Sequence, residues 1–346
     1  MKRISLLILL VLAISGLSVA QADISGLGAD FENLVEELGK EMLPNIEQLA
    51  VWGQYPGQAA MPDDSRFFFT MSLGAVLGFN GILNFIDDPD AFELLNVGAL
   101  LDTILEGGGA ANTIANLQGF FPYPIARTAV GFKLPADLEV MADVAIMPQF
   151  LANFAVNTAN RFVDSPIPTF TLNSLHVGSR IRKVVLRDAP GIPAISIGAG
   201  YSYTGFNIGY SFADIGAITT ALGDLYFAGD FYLQNRVHSF GLDLHISKSL
   251  GWFVPFIGLS PYFQLAGFSG GVSEFDAFVD FFPGEPINRD IEYDGLPPET
   301  TLADNDLALV LFGGFDFVFD SLALQVHTSY TVGEGWPAVT IGTRFQ

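Results

Sequence analysis

Alternation of every second residue runs through most of this chain and limits its folds more than any other feature. Phe67, Phe69, Met71, Leu73, Ala75, Leu77 and Phe79 alternate with Phe68, Thr70, Ser72, Gly74, Val76 and Gly78. Leu322, Leu324, Val326, Thr328, Tyr330 and Val332 alternate with Ala323, Gln325, His327, Ser329 and Thr331. The closing WPAVTIGTRFQ sets Val339, Ile341, Thr343 and Phe345 against Ala338, Thr340, Gly342 and Arg344. Successive side chains of a strand point to opposite faces, so each stretch reads as a strand with two unlike faces. The same period marks 225–234, 240–246 and 307–319, and more weakly 125–134, 138–148, 173–186, 193–212, 252–268 and 272–282. The pattern predicts about twelve strands, several as long as the 9–11 residues that cross an outer-membrane bilayer.

Composition decides what the greasy faces meet. Half the residues are apolar and mean hydropathy is +0.41, yet the net charge is -22. Acidic disordered chains are poor in aromatics, whereas this one has 32 Phe. Beyond the N-terminus, no segment has the roughly 20 unbroken apolar residues of a spanning helix. The apolar content therefore fills a large soluble core, as in a β-sandwich or secreted adhesin, or faces lipid on alternate positions. The charges favour lipid. The faces opposite the greasy ones collect Arg127, Lys133, Glu139, Asp143, His176, Arg180, Arg182, Asp230, Arg236, Asp243, His245, Asp316, His327 and Arg344. A charge on the lipid face costs about 2–4 kcal/mol at the bilayer midplane. These residues are the candidate lumen-facing set.

The connections carry a second rhythm. Residues 80–124, 149–172 and 283–305 are long, while Pro135–Asp137, 187–192 and Asp320–Ser321 are short. Further breaks are expected at 213–223, near Arg236 and at Ser269–Gly271. The short link 249–251 falls where a long loop is due. Short turns at one rim and long loops at the other belong to a membrane barrel, and an even strand number returns both termini to one side. Backbone groups in lipid have no water to bond, so such a sheet must close on itself. Residues 337–346 are accordingly expected to pair with 67–79.

Met1-Lys2-Arg3, the apolar run Ile4–Val19 and the small residues around Ala20 and Ala22 have the form of a cleaved signal peptide over 1–22. Residues 24–52 read as a helix with Phe31, Leu34, Val35, Leu38 and Met42 on one face, kinked or ended by Pro44. Residues 23–65 are thus an expected helical plug or periplasmic segment, and 66–346 an expected transmembrane β-barrel with a helical loop insertion at 80–124. The fold class is all-β, an antiparallel barrel of about 12–14 strands.

Few patterns invite chemistry. Gly267-Phe268-Ser269-Gly270-Gly271 matches a nucleophile elbow, but it lies between strand patterns where that elbow needs a strand and a helix. There is no Cys, and the four His are scattered. The acidic stretch 285–306 lacks the carboxylate spacing of a calcium loop. Neither an enzyme nor a cofactor is expected. The acidic balance argues against nucleic acid as a partner.

The signal peptide, the alternating strands and the terminal VTIGTRF with its late aromatic resemble bacterial outer-membrane β-barrels. A helical segment before the first strand and apolar helical insertions resemble, within that class, the long-chain fatty-acid transporter (FadL-type) group; an uncharacterised barrel family fits equally. The resemblance implies a location in the outer membrane of a diderm bacterium. It implies outer-membrane lipid and the barrel-assembly machinery as partners, and an N-terminal hatch over a path for hydrophobic small molecules. Gln346 departs from it, standing one residue past the terminal aromatic. The expected function is passage of small hydrophobic solutes; the alternative is a structural or surface-interaction barrel with a closed lumen.

Overall fold

The computed structural model describes residues 32–33, 35–37, 39–40, 42–44, 46–51, 57–62, 65–78, 121–147, 171–220, 223–280, 300–333 and 337–346. The expected signal peptide, nearly all of the insertion at 80–124 and most of the three long connections lie outside these residues.

Ten antiparallel strands close into a barrel. They are β1 (Phe67–Gly78), β2 (Phe121–Leu134), β3 (Leu138–Met147), β4 (Thr171–Leu186), β5 (Ala194–Thr220), β6 (Gly223–Ser247), β7 (Phe253–Asp280), β8 (Thr300–Phe319), β9 (Leu322–Val332) and β10 (Ala338–Phe345). The last strand pairs with the first, Thr70 facing Arg344 and Leu73 facing Ile341, as closure requires.

The strand number is ten, below the expected 12–14, because two expected breaks are not breaks. Residues around Arg236 run straight through β6 and Ser269–Gly271 run through β7, while the expected break at 213–223 narrows to the link between Thr220 and Gly223. Polar and glycine-rich stretches look like turns in isolation, but Arg236 pairs with β5 and β7, and Ser269 and Gly270 pair with β6 and β8, so neighbours on both sides satisfy their backbone. Residues 121–124 likewise belong to β2 and 300–306 to β8. With those breaks removed, 249–251 joins the short turns at 135–137, 187–193 and 320–321 on one rim and is no longer an exception; on the other rim the link from Thr220 to Gly223 is short. The strands β5, β6 and β7 have 27, 25 and 28 residues, against 10 in β3 and 8 in β10. One flank of the barrel therefore rises well past the 9–11 residues a bilayer needs.

The two faces are chemically distinct. Outside stand Met71, Leu73, Leu242, Ile257, Leu307 and Ile341, each more than half exposed. Residues at the alternate positions are buried, and β9 and β10 show the alternation along nearly their whole length. A wall of large exposed aliphatics around a closed sheet is what hydrocarbon, not water, would cover.

The interior is occupied. Every described position between 32 and 51 is helical, Pro44 included, so Pro44 does not end this helix. Of its expected apolar face, Val35 and Met42 are buried; Phe31, Leu34 and Leu38 lie outside the described residues. Ala50 O accepts from Ser202 on β5, Glu47 O from Gln264 on β7, and Gln48 bonds Ser329 on β9. Farther on, the backbone N–H of Ala59 donates to Ser247 on β6 and that of Met61 to Glu139 on β3. Partners on five different strands around the ring place this segment inside it. The contacts also order it along the axis. Residues 58–62 lie at the short-turn rim and Val35 lies against Gly270, far up β7.

Candidate functional site in the barrel interior

The interior has two storeys. Toward the short turns it is a belt of paired charges, in which four arginines meet four carboxylates. Arg127 Nε is 3.2 Å from Asp143 Oδ2. Arg180 Nη1 is 2.8 Å from Asp243 Oδ1 and its Nη2 donates to the Tyr262 hydroxyl at 2.8 Å. Arg182 donates through Nε and Nη2 to Glu139 Oε2. Arg344 Nη1 is 3.0 Å from Asp316 Oδ2. All four arginines are buried, Arg182 at 2% exposure and Glu139 at 1%. A lone buried charge would be costly, so one-to-one pairing is the condition for placing them there.

Glycines make room for two of these carboxylates. Asp143 faces Gly178 across β3–β4 and Asp243 faces Gly198 across β5–β6. A Cβ on either glycine would run into the carboxylate opposite. Gly57, with φ of +87°, lies over Asp316 and Gln325, so only a residue tolerant of left-handed backbone and without a side chain fits there.

Three of the four histidines, His176, His245 and His327, are packed as parts of this belt. His176 Nδ1 is 2.9 Å from Thr204 Oγ1, and its Nε2 is 3.0 Å from Asp143 Oδ2 and 2.7 Å from Arg127 Nη2. Hydroxyl, imidazole and carboxylate stand in the order of a nucleophilic relay. However, Thr204 and His176 are fully buried, and Arg127 occupies the imidazole nitrogen nearest the carboxylate. No substrate can reach that hydroxyl in this arrangement. His327 Nε2 is 3.7 Å from Asp316 and its ring meets Phe256 edge-on. His245 is wedged edge-on against Phe256 and Phe312.

Of the expected lumen set, Arg127, Asp143, His176, Arg180, Arg182, Asp243, His245, Asp316, His327 and Arg344 all stand in this belt. Lys133 lies at its lower edge, half-buried, donating to Pro62 O at 3.3 Å. Arg236 and Asp230 do not belong to it. On β6, Leu233, Asn235 and Val237 are buried while Arg236 is exposed; Phe231 packs on the interior cluster, which turns Asp230 to the other face. The greasy phase of β6 was expected to face lipid throughout. In its upper half it faces inward instead.

That reversal marks the second storey. Phe206, Leu233, Val237, Ala266, Phe268 and Met147 point inward from four strands and enclose Val35, Met42, Leu43, Ile46, Leu49 and Ala50. The storey toward the long connections is thus an apolar sleeve around the helix. Uncharged inward residues that the sequence reading passed over, among them Thr204, Tyr262, Gln264 and Ser329, supply much of the hydrogen bonding. Their phase beside charged neighbours was the available signal.

At the short-turn rim a cleft of about 230 Å³ opens between residues 58–62 and the wall, lined in part by Arg187, Asp188, Ser247 and Gln346. The extra terminal residue has a role here. Gln346 Oε1 accepts from Arg344 Nε at 2.9 Å and from Gln58 Nε2 at 3.4 Å, tying the end of the barrel to the inner segment.

Among solved structures, the outer membrane protease OmpT from Escherichia coli aligns over 82% of this chain and 97% of its own, at 8% identity and TM-score 0.41. The translocator domain of autotransporter NalP from Neisseria meningitidis aligns over 82% and 89%, at 11% identity and TM-score 0.34. The transport unit of the autotransporter AIDA-I from Escherichia coli aligns over 89% and 98%, at 9% identity and TM-score 0.30. Likeness this loose says nothing of what the present chain does. No family model and no curated protein matches it.

Proposed function

We propose that this chain is an outer-membrane barrel, exported through a cleaved signal peptide over 1–22, that passes small hydrophobic solutes. Residues 23–65 act as its plug and 66–346 as its wall. The outer wall meets outer-membrane lipid, and the last strand is the signal for the barrel-assembly machinery. The carrying observation is the apolar sleeve. A water-filled pore has a polar lining, whereas Phe206, Leu233, Val237 and Phe268 give this lumen an apolar upper half. Such a lining suits an apolar solute that replaces the helix's own side chains.

Passage then requires the inner segment to shift. The bonds holding it are single neutral hydrogen bonds such as Ser202 to Ala50 and Gln264 to Glu47, each of about 1 kcal/mol net. The stronger ties, Arg182 to Gln58 O and Glu139 to Met61 N–H, lie at the short-turn rim. The lower storey would act as the gate and the upper as the receiving site.

Uptake of a radiolabelled long-chain fatty acid tests this in cells with the full chain, cells lacking residues 23–60, and cells without the protein. Uptake should fall when the protein is absent and change when the segment is removed. Equal uptake in all three rejects the proposal. The one-to-one charge pairing favours a second reading, a structural barrel with a permanently closed lumen. Zero conductance in planar bilayers together with no uptake would support that reading.

A further inference from the structure

Outside the barrel, three rows of paired residues cross strands β4 to β8 where the wall turns from apolar to polar. Ser179, Tyr201, Phe240, Phe263 and Leu307 form one row. Two residues farther from the short turns, Val177, Tyr203, His238, Leu265 and Asn305 form the next. Beyond lies Leu175, Gly205, Arg236, Gly267 and Ala303, followed by the wholly polar Asn173, Asn207, Gln234, Ser269 and Thr301.

Arg236 stands at that border. It is exposed, and no carboxylate pairs with it among the described residues. Among the described residues the other exposed cations of the outer wall, Arg66 and Lys183, stand at the opposite rim. Both cross-strand neighbours of Arg236 are glycine, Gly205 on β5 and Gly267 on β7. At Gly267 a Cβ would meet nothing within 4 Å, so the guanidinium borders an open hollow. Below it, the Tyr203 and His238 rings lie 5.1 Å apart, and the Tyr201 hydroxyl is 2.9 Å from His238 Nδ1. Tyr203 OH reaches over Gly205, 3.0 Å from where a Cβ would sit.

We propose that Arg236, in the hollow between Gly205 and Gly267 and above the Tyr203–His238 pair, binds the phosphate of a membrane-lipid headgroup. This rests on the reading that the wall faces lipid. A permanent cation is tolerated on the lipid face only near the interface, where a phosphate can bind its planar fork through two parallel bonds. Amphipathic rings collect at the same depth, and the acyl chains would lie on Phe240, Leu242, Phe263 and Leu265. In a chain of net charge -22, an arginine on the outer wall with no carboxylate partner among the described residues is complementary to the phosphate of a lipid headgroup.

The test is native mass spectrometry of the detergent-extracted full chain with phosphatidic acid, with diacylglycerol of the same acyl chains, and with inorganic phosphate. Phosphatidic acid should stay bound and the other two should not. Arg236→Gln should weaken binding about tenfold, and Arg66→Gln at the other rim should not. Gly267→Leu, placed where a Cβ would meet nothing within 4 Å, should weaken it as well. Wild-type binding by both Arg236→Gln and Gly267→Leu, or equal retention of inorganic phosphate, overturns the lipid site alone. Recovery of the protein in the soluble fraction overturns it together with the membrane reading.

Discussion

Glu139 on β3 binds the wall with one carboxylate oxygen and the inner segment with the other: Oε2 accepts from Arg182 on β4, and Oε1 accepts from the backbone N–H of Met61 at 2.8 Å. Arg182 completes the loop by donating to Gln58 O at 2.9 Å. Replacing Glu139 by Gln keeps an acceptor for Met61 but strands a buried guanidinium. The expected loss is about 3–5 kcal/mol, read as a lower denaturant midpoint for the folded barrel. The double variant Glu139→Gln with Arg182→Met should recover most of that loss, since both charges are then gone.

Asp243 and Gly198 supply an independent check on the charge belt. A methyl group at Gly198 would overlap Asp243 Oδ1, the atom that binds Arg180 at 2.8 Å. Gly198→Ala should therefore destabilise by about 1–3 kcal/mol, the usual penalty of overpacking. Gly191, whose Cβ direction is empty, lies in the turn at the rim with φ of +78°. Ala there should cost about 1 kcal/mol through backbone strain alone. Thermal unfolding of the two variants compares them directly.

Asp137, in the Pro135–Asp137 turn, gives a pH signature outside the membrane-spanning strands. Its hydrogen bond to Arg187 holds the carboxyl below its usual range. A folded-state pKa that is depressed adds stability above the unfolded value near 3.9, and that stability is lost as pH falls through the folded value. The melting temperature of wild type should exceed that of Arg187→Gln at pH 7 by a small margin, since the pair is solvent-screened. The margin should vanish in acid below the carboxylate range. A margin that widens in acid would refute the assignment.

Much of this architecture was legible in the alternation. The closing contact of Ile341 with Leu73, the tight turns at Pro135–Asp137 and Asp320–Ser321, and the placement of ten charged or imidazole side chains all follow from period two. The strand number did not, because Ser269–Gly271 has the composition of a turn and only its neighbours on β6 and β8 make it strand. Arg236 was misplaced for a related reason. A strand inside a barrel was expected to be greasy only toward lipid, but Phe231 and Leu233 face a greasy helix. Periodicity gives the period and not the sign when both sides of a wall are apolar. The helix itself was legible from 24–52, although its location within the ring needed the partners of Gln48, Ala50 and Met61.

If solute passes only when the inner segment moves, a reversible cross-link between that segment and the wall should stop it. The chain has no Cys, so Ala50→Cys with Ser202→Cys introduces one thiol pair where Ser202 Oγ now donates to Ala50 O at 2.9 Å. Uptake of a radiolabelled long-chain fatty acid is measured with the pair oxidised and again after reduction. Uptake should stop on oxidation and return on reduction. Undiminished uptake with the cross-link fully formed would contradict it.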